Sequence, residues 1–558
     1  MKPIWMPSTL PVGDLPAQAP VACATALDTA SMGAIRGAFG TIAHADTSAR
    51  RHWRDRWRTL LAILGPGLIV MVGDNDAGAF STYSQAGQNH GTALLWTLLL
   101  LVPVLYVNQE MVLRLGAVTG VGHARLILER FGRFWGAFSV IDLFLLNALT
   151  LVTEFIGISL GLDVLGVSRP IGVLASAGVL IGAASMGDLR RFERVAMALV
   201  FGSLLLVPLF IRIHPPLAQV AHDALTPQLP AGGKLSDVML LIIGIVGTTI
   251  APWQLFFQQS YVIDKRITPR FMQYERVDLW IGIVVVIAGA IAMMAAAAAT
   301  FDGQPGFGHY TDAADVARGM AHRFGHPAGV LFAVALIDAS LIGACAVSLS
   351  TAYAIGDIFA VNHSLHRKPG EAKSFHTVYA GLIAIAALLV LTPGTPLGLL
   401  VILVQALAGV LLPSATVFLL LLCNDSAVLG PWVNSRSTNL FTGAVVAVLV
   451  VLSVILTASV LFPSLSDHRI FSVLVGGGAI AAVLGLLGLL LGPRDPPHDL
   501  PPPVDAARAT WRMPALDALA PARLSLQSRL WMAAMRAYLL VAGGLLVARM
   551  LSSAFAGP

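Results

Sequence analysis

Windows of about 20 apolar residues recur along nearly the whole of this 558-residue chain, and each is long enough to cross a bilayer. They lie near 59–90, 93–117, 135–163, 170–188, 191–213, 236–264, 276–301, 327–359, 376–394, 397–423, 438–462 and 470–492. In lipid every backbone polar group must be satisfied inside the protein, so segments of this length fold as helices. The chain is therefore expected to be an all-α polytopic membrane protein of about twelve spans. A thirteenth candidate, 530–553, follows a Pro-rich linker (Pro493 to Pro503) and an Arg-bearing amphipathic stretch, and reads equally well as an interfacial helix. Only 12% of residues are charged, against about 25% in soluble domains, so most of the chain belongs in lipid.

The formal net charge of +5 does not indicate nucleic acid, because the basic residues cluster at the ends of apolar segments. Arg50, Arg51, Arg54, Arg56 and Arg58 precede the first span. Every second loop is also basic: Arg125, Arg130 and Arg133; Arg190 and Arg191; Lys265, Arg266 and Arg270; Arg367, Lys368 and Lys373. The positive-inside rule then sets the N-terminus in the cytoplasm. Residues 1–58 lack a compact signal pattern and are expected to be a flexible cytoplasmic tail. Cys23, Cys345 and Cys423 are too few and too dispersed for a disulfide framework or a zinc site. The scarcity of Lys, five of 35 basic residues, suits a GC-rich bacterial genome.

Two of the spans are interrupted. The first runs Gly65-Pro-Gly-Leu-Ile-Val-Met-Val-Gly and then sets Asp74, Asn75 and Asp76 at mid-depth, followed by Gly78. Charge there is costly, and irregular backbone is tolerated only where it is buried in protein or lines a cavity. The sixth carries Gly247-Thr-Thr-Ile-Ala251-Pro252-Trp253-Gln254 at its middle. Breaks at corresponding places five spans apart point to an inverted-repeat transporter with its site at the midplane, although a lone Pro or Gly in a span is often only a kink.

The polar and Gly/Pro positions resemble the NRAMP divalent-metal transporters over about 60–423. The matches are Gly65-Pro66-Gly67, Asp76-x-Gly78, Gln85-Ala86-Gly87 and Leu94-Leu95-Trp96, then Arg114-Leu115-Gly116-x-Val118-Thr119-Gly120, Glu154-x-Ile156-Gly157, Gln405 and Pro413. The resemblance implies a LeuT-type fold with two inverted repeats, 59–213 (spans 1–5) and 236–423 (spans 6–10). Spans 11–12 would cover 438–492, with the linker and C-terminal helix over 493–558. It also implies alternating access in a bacterial inner membrane. The chain departs from the family at its site. Asp-Pro-Gly-Asn becomes Asp76-Ala77-Gly78-Ala79, losing the Asn ligand, and Met-Pro-His becomes Ala251-Pro252-Trp253. A thioether favours soft metals, whereas carboxylate, carbonyl and water suit Mg2+, Ca2+ and Mn2+. An oxygen-lined site without sulfur is expected to take partly hydrated Mg2+, as in the NRAMP-related magnesium transporters, with Mn2+ as a second cargo. The family's proton route uses the span-6 His and an Asp three residues before the span-3 Glu; here these are Trp253 and Leu151, which implies uptake without proton coupling.

The candidate metal ligands are Asp76, Asp74, Asn75, Gln254, Gln405 and Glu154, with backbone carbonyls near Ile250 and Ala251 freed by Pro252. Each has a plainer reading. Asp76 is also a helix N-cap, Glu154 a residual proton site, and Thr248 and Thr249 bond their own helix. Trp253 fills space or gates. Asp338 is an intramembrane acid with a hydrogen bond to Ser340 or Ser348 as its bland account, Glu110 is interfacial, and His90, His309, His322 and His326 are solvated loop residues. No cofactor, enzyme motif or nucleic-acid partner is expected, and no oligomeric state is assigned, a monomer being one option. The rival functions are a proton-coupled Mn2+/Fe2+ importer, a Na+-coupled organic solute symporter and a membrane sensor.

Overall fold

The structure, a computed structural model, describes residues 28–44, 46, 48–230, 235–392, 397–461, 467–491, 511–519, 521–522 and a few positions between 532 and 548. The expected linker at 493–503 and tail residues 1–27 lie outside the described residues, as does most of 530–553.

The described chain starts with a 3-10 turn (Thr29–Ser31) and an antiparallel hairpin, β1 (Ile35–Gly37) and β2 (Gly40–Ile42), followed by α1 (Trp53–Ile63). Within the stretch expected to be a tail, Ile35, Ala38 and Ile42 of the hairpin are buried. The first apolar window then splits into α2 (Pro66–Val72) and α3 (Ala77–His90). After it come α4 (Leu95–Thr119), α5 (His123–Phe131), α6 (Arg133–Val164), α7 (Arg169–Ala184), α8 (Leu189–Gly202) and α9 (Leu206–Ile213), the last two joined by a 3-10 turn. The short α10 (Leu217–Leu225) leads to a second split window, α11 (Leu235–Thr249) and α12 (Pro252–Asp264). Then follow α13 (Met272–Phe301), α14 (Ala313–Phe324), α15 (His326–Phe359), α16 (Lys373–Val390) and α17 (Leu397–Cys423). The described helices close with α18 (Ser426–Leu429), α19 (Arg436–Leu461) and α20 (Asp467–Leu491).

Among the described residues nine helices are long and apolar enough to cross a membrane, counting α8–α9 and α11–α12 as one each. The first window drops out of that count because its break leaves pieces of 7 and 14 residues, and α7 because it has 16.

Each break follows from local chemistry. Gly73 caps α2, and Asp76, in extended conformation, accepts the Ala79 N–H at 2.9 Å to start α3. In the second window Pro252 has no N–H to give the preceding turn and pushes Ala251 out of the helical region, to φ −91° and ψ 144°. Proline's fixed φ suits the first turn of α12. Packing sets both breaks at the centre: α13 lies on α2 and α3, α12 on α4 and α15, α11 on α17, and α6 along α15. Two sets of five spans, each led by a broken one, make the LeuT-type architecture.

Candidate metal site

The two breaks face each other inside the bundle. Asp74, Asn75, Asp76, Ile250, Ala251, Gln254, Glu154 and Gln405 are all buried. Gln254, third residue of α12, donates from Nε2 to Asp74 Oδ1, and its Oε1 accepts from Gln109 Nε2 on α4 at 2.8 Å. Asp74 Oδ2 has no hydrogen-bond partner. Glu154 on α6 accepts the Ala77 N–H at 3.2 Å through Oε2, within hydrogen-bonding reach of the Asp76 carboxyl, while its Oε1 is unpartnered. Gln405 on α17 brings its Nε2, also unpartnered, against Gly78. A side chain at 78 would collide with that amide, so Gly78 is what lets α17 approach the Asp76 cap.

The other expected ligands are placed less directly. Asn75 turns to α13, donating from Nδ2 to Val286 O at 3.0 Å, and leaves Oδ1 free. The Ala251 carbonyl accepts the Gln254 N–H at 3.2 Å, so only its second lone pair faces the break. Thr249 bonds Ile245 O within its own helix and meets Tyr83 OH at 2.7 Å, whereas Thr248 Oγ1 has no partner. Trp253 is buried beside the Gly73 turn, and its carbonyl accepts from Ser350 Oγ at 2.9 Å. Asp338 lies away from the site, its carboxyl against Gly202, while Ser340 bonds Leu336 O instead. Glu110 is paired with Arg276 and Arg114, as an interfacial acid would be.

The midplane holds three acids, and among the described residues none of them forms an ion pair with Lys, Arg or His. Nor, among those residues, do three His, Cys, Asp or Glu converge into a cage that would hold a metal unaided. The buried polar groups gathered at the two breaks are carboxylates and side-chain amides. Gln109 and Tyr83 belong to this setting, and sequence reading missed both. Their one available signal was polarity inside an apolar window.

The profile of the family described as natural resistance-associated macrophage protein-like matches residues 67–459. Among solved structures, a manganese transporter of Eremococcus coleocola in complex with an aromatic bis-isothiourea substituted compound is 21% identical. That match has a TM-score of 0.58 and covers 78% of this chain and 94% of the other. A histidine-to-alanine mutant of that transporter is 20% identical with a TM-score of 0.59, covering 82% and 97%. The fold and the broken-helix site define a multi-pass membrane transporter. The chain belongs to the Nramp family of divalent-metal transporters.

Proposed function

We infer that this transporter imports Mg2+ as a partly hydrated ion, with Mn2+ as a second cargo, by alternating access and without proton coupling. The observation that carries the reading is residue 251. Where the family's Met would bring sulfur to the break, Ala251 brings a methyl, and the acids of the facing break are Asp74 and Asp76. Mg2+ keeps octahedral geometry at about 2.0–2.1 Å and sheds water reluctantly, so a methyl that leaves room for water favours it over a softer ion. A half-turn of the Gln405 terminal torsion would present Oε1 to the same ion.

The energetics need no proton. A divalent ion gains about 4.6 kcal/mol from a 100 mV inside-negative potential, at about 2.3 kcal/mol per charge. At tenfold per 1.4 kcal/mol, that sustains a gradient on the order of a thousandfold. Trp253 and Leu151 stand where the family's proton-carrying His and Asp would be. The basic loops favour an N-terminus in the cytoplasm of a bacterial inner membrane.

A second reading, proton-coupled Mn2+ import, is favoured by the retained Glu154 beside Asp76 and by the manganese transporters among the structural neighbours. Proteoliposome uptake of Mg2+, Mn2+ and Ca2+ in parallel, with a pH dye inside, separates the two. The first reading expects Mg2+ uptake at constant internal pH. Acidification that tracks Mg2+ uptake, or uptake of Mn2+ alone, supports the second.

A further inference from the structure

The hairpin β1–β2 is tied to the start of half-helix α2. Half-helix α2 begins at the Leu64-Gly65-Pro66 elbow, and three buried side chains grip that elbow. Lys265, just past α12, donates from Nζ to Leu64 O at 2.8 Å and pairs with Glu193 Oε1 of α8 at 2.7 Å. Asp278 on α13 accepts the Gly65 and Gly67 N–H groups at 3.1 and 2.8 Å. Glu193 spends its second oxygen on the hairpin turn: the Ala38 N–H donates to Oε2 at 2.7 Å. Lys265 and Glu193 are completely buried, so each bond in this chain of contacts operates away from water.

The rest of the N-terminal segment is fastened to elements on several sides of α2. Arg266 donates to Ala30 O and Ala34 O at 2.6 and 2.8 Å, and Arg270 donates to Asp46 O and to Ser48 O, the latter at 2.9 Å. Arg367, in the loop between α15 and α16, pairs with Asp28 at 2.7 Å. The hairpin also sits flush on α1. A Cβ at Gly37 would run into the Ala62 carbonyl, so only glycine permits this seat. A short hairpin is marginal alone; this one is held by the elbow, and by reciprocity it holds the elbow.

We propose that residues 28–44 are a strap that locks half-helix α2 on the N-terminal side of the membrane, and that the strap must release the Glu193–Lys265 clamp before the site can open to that side. The proposal rests on the alternating-access reading, in which α2 moves away from α8 and α12. Glu193 is here a positioning residue, acting on α2 through Lys265.

The test places a reporter under α2. Ile69 is buried and lines one cavity together with Phe192 of α8 and Phe257 of α12. In full-length protein with Cys23→Ser, Cys345→Ala and Cys423→Ala, Ile69→Cys is labelled by a membrane-impermeant maleimide from the N-terminal side, with and without saturating Mg2+ or Mn2+. Two variants release the strap differently. Ala38→Pro deletes one N–H, and Gly37→Val lifts the hairpin from Ala62. Both are expected to raise the labelling rate at least tenfold while leaving its response to cation intact, which also shows that the variants are folded. Unchanged labelling in both variants, with the cation response preserved, overturns the strap. Labelling that neither cation nor variant alters overturns the alternating-access reading beneath it, and the strap with it.

Discussion

Two groups of buried acids in the protein are finished differently. At the midplane Asp74, Asp76 and Glu154 meet amides and backbone N–H groups but, among the described residues, no basic side chain. On the N-terminal side Glu193 has Lys265, and Asp278 has the two N–H groups that open α2. A buried carboxylate with a fixed ammonium partner holds a shape, since separating the pair strands a charge in a poor dielectric. Carboxylates without one leave their charge to be balanced by something that can depart. Glu193 has a fixed ammonium beside it, whereas Asp74, Asp76 and Glu154, like the buried Glu275 near Asp278, have no ion-pair partner among the described residues.

The sharpest way to break this contrast is to remove one charge from each group. Lys265→Met should lower stability by about 3–5 kcal/mol, the cost of stranding Glu193. Adding Glu193→Gln should restore most of it, and chemical denaturation of the detergent-purified protein reads both. Asp76→Ala should cut Mg2+ uptake into proteoliposomes about a hundredfold, roughly 2.8 kcal/mol at tenfold per 1.4. Asp74→Asn should act in the opposite sense to Lys265→Met. Without divalent cation it relieves carboxylate repulsion and raises stability by about 1 kcal/mol, while Mg2+ affinity falls. A loss of stability in the cation-free protein would erase the distinction.

Ala251→Met sharpens the comparison from the selectivity side. A thioether at the break should move the Mn2+ to Mg2+ uptake ratio toward Mn2+ by about tenfold, or 1.4 kcal/mol. The smallest expected effect lies in the loop after α15. Burial pulls the His363 imidazole down, but Asp357 at 3.1 Å outweighs it and lifts its pKa to about 9. A group raised in the folded state stabilises fully below its unfolded pKa of about 6.5. That contribution is lost as pH rises through about 9. The melting temperature should therefore fall more steeply between about pH 7 and 10 in the parent than in His363→Gln.

What was readable in the sequence was what the local chain dictates. Asp76 as a cap and Pro252 as a breaker act through their own stereochemistry, so both breaks could be placed without a structure; Gly78, expected to break the first span, sits inside α3. What was not readable depends on partners far along the chain. Gln109 meets Gln254 across 145 residues, and Asn75 gives its Nδ2 to the Val286 carbonyl of α13. Lys265 read as one more loop charge setting orientation, yet it is fully buried against Glu193. The hairpin escaped notice because its strands have three residues each, too short for alternation to show.

The central claim is that a divalent ion completes the midplane acids. Ligand that binds only the folded state raises the melting temperature with its concentration, so the direct test is thermal unfolding of the purified protein across a Mg2+ titration. The parent and Lys265→Met should both gain stability with Mg2+, and Asp76→Ala should gain none. An Asp76→Ala protein that Mg2+ stabilises as strongly as the parent would contradict the account.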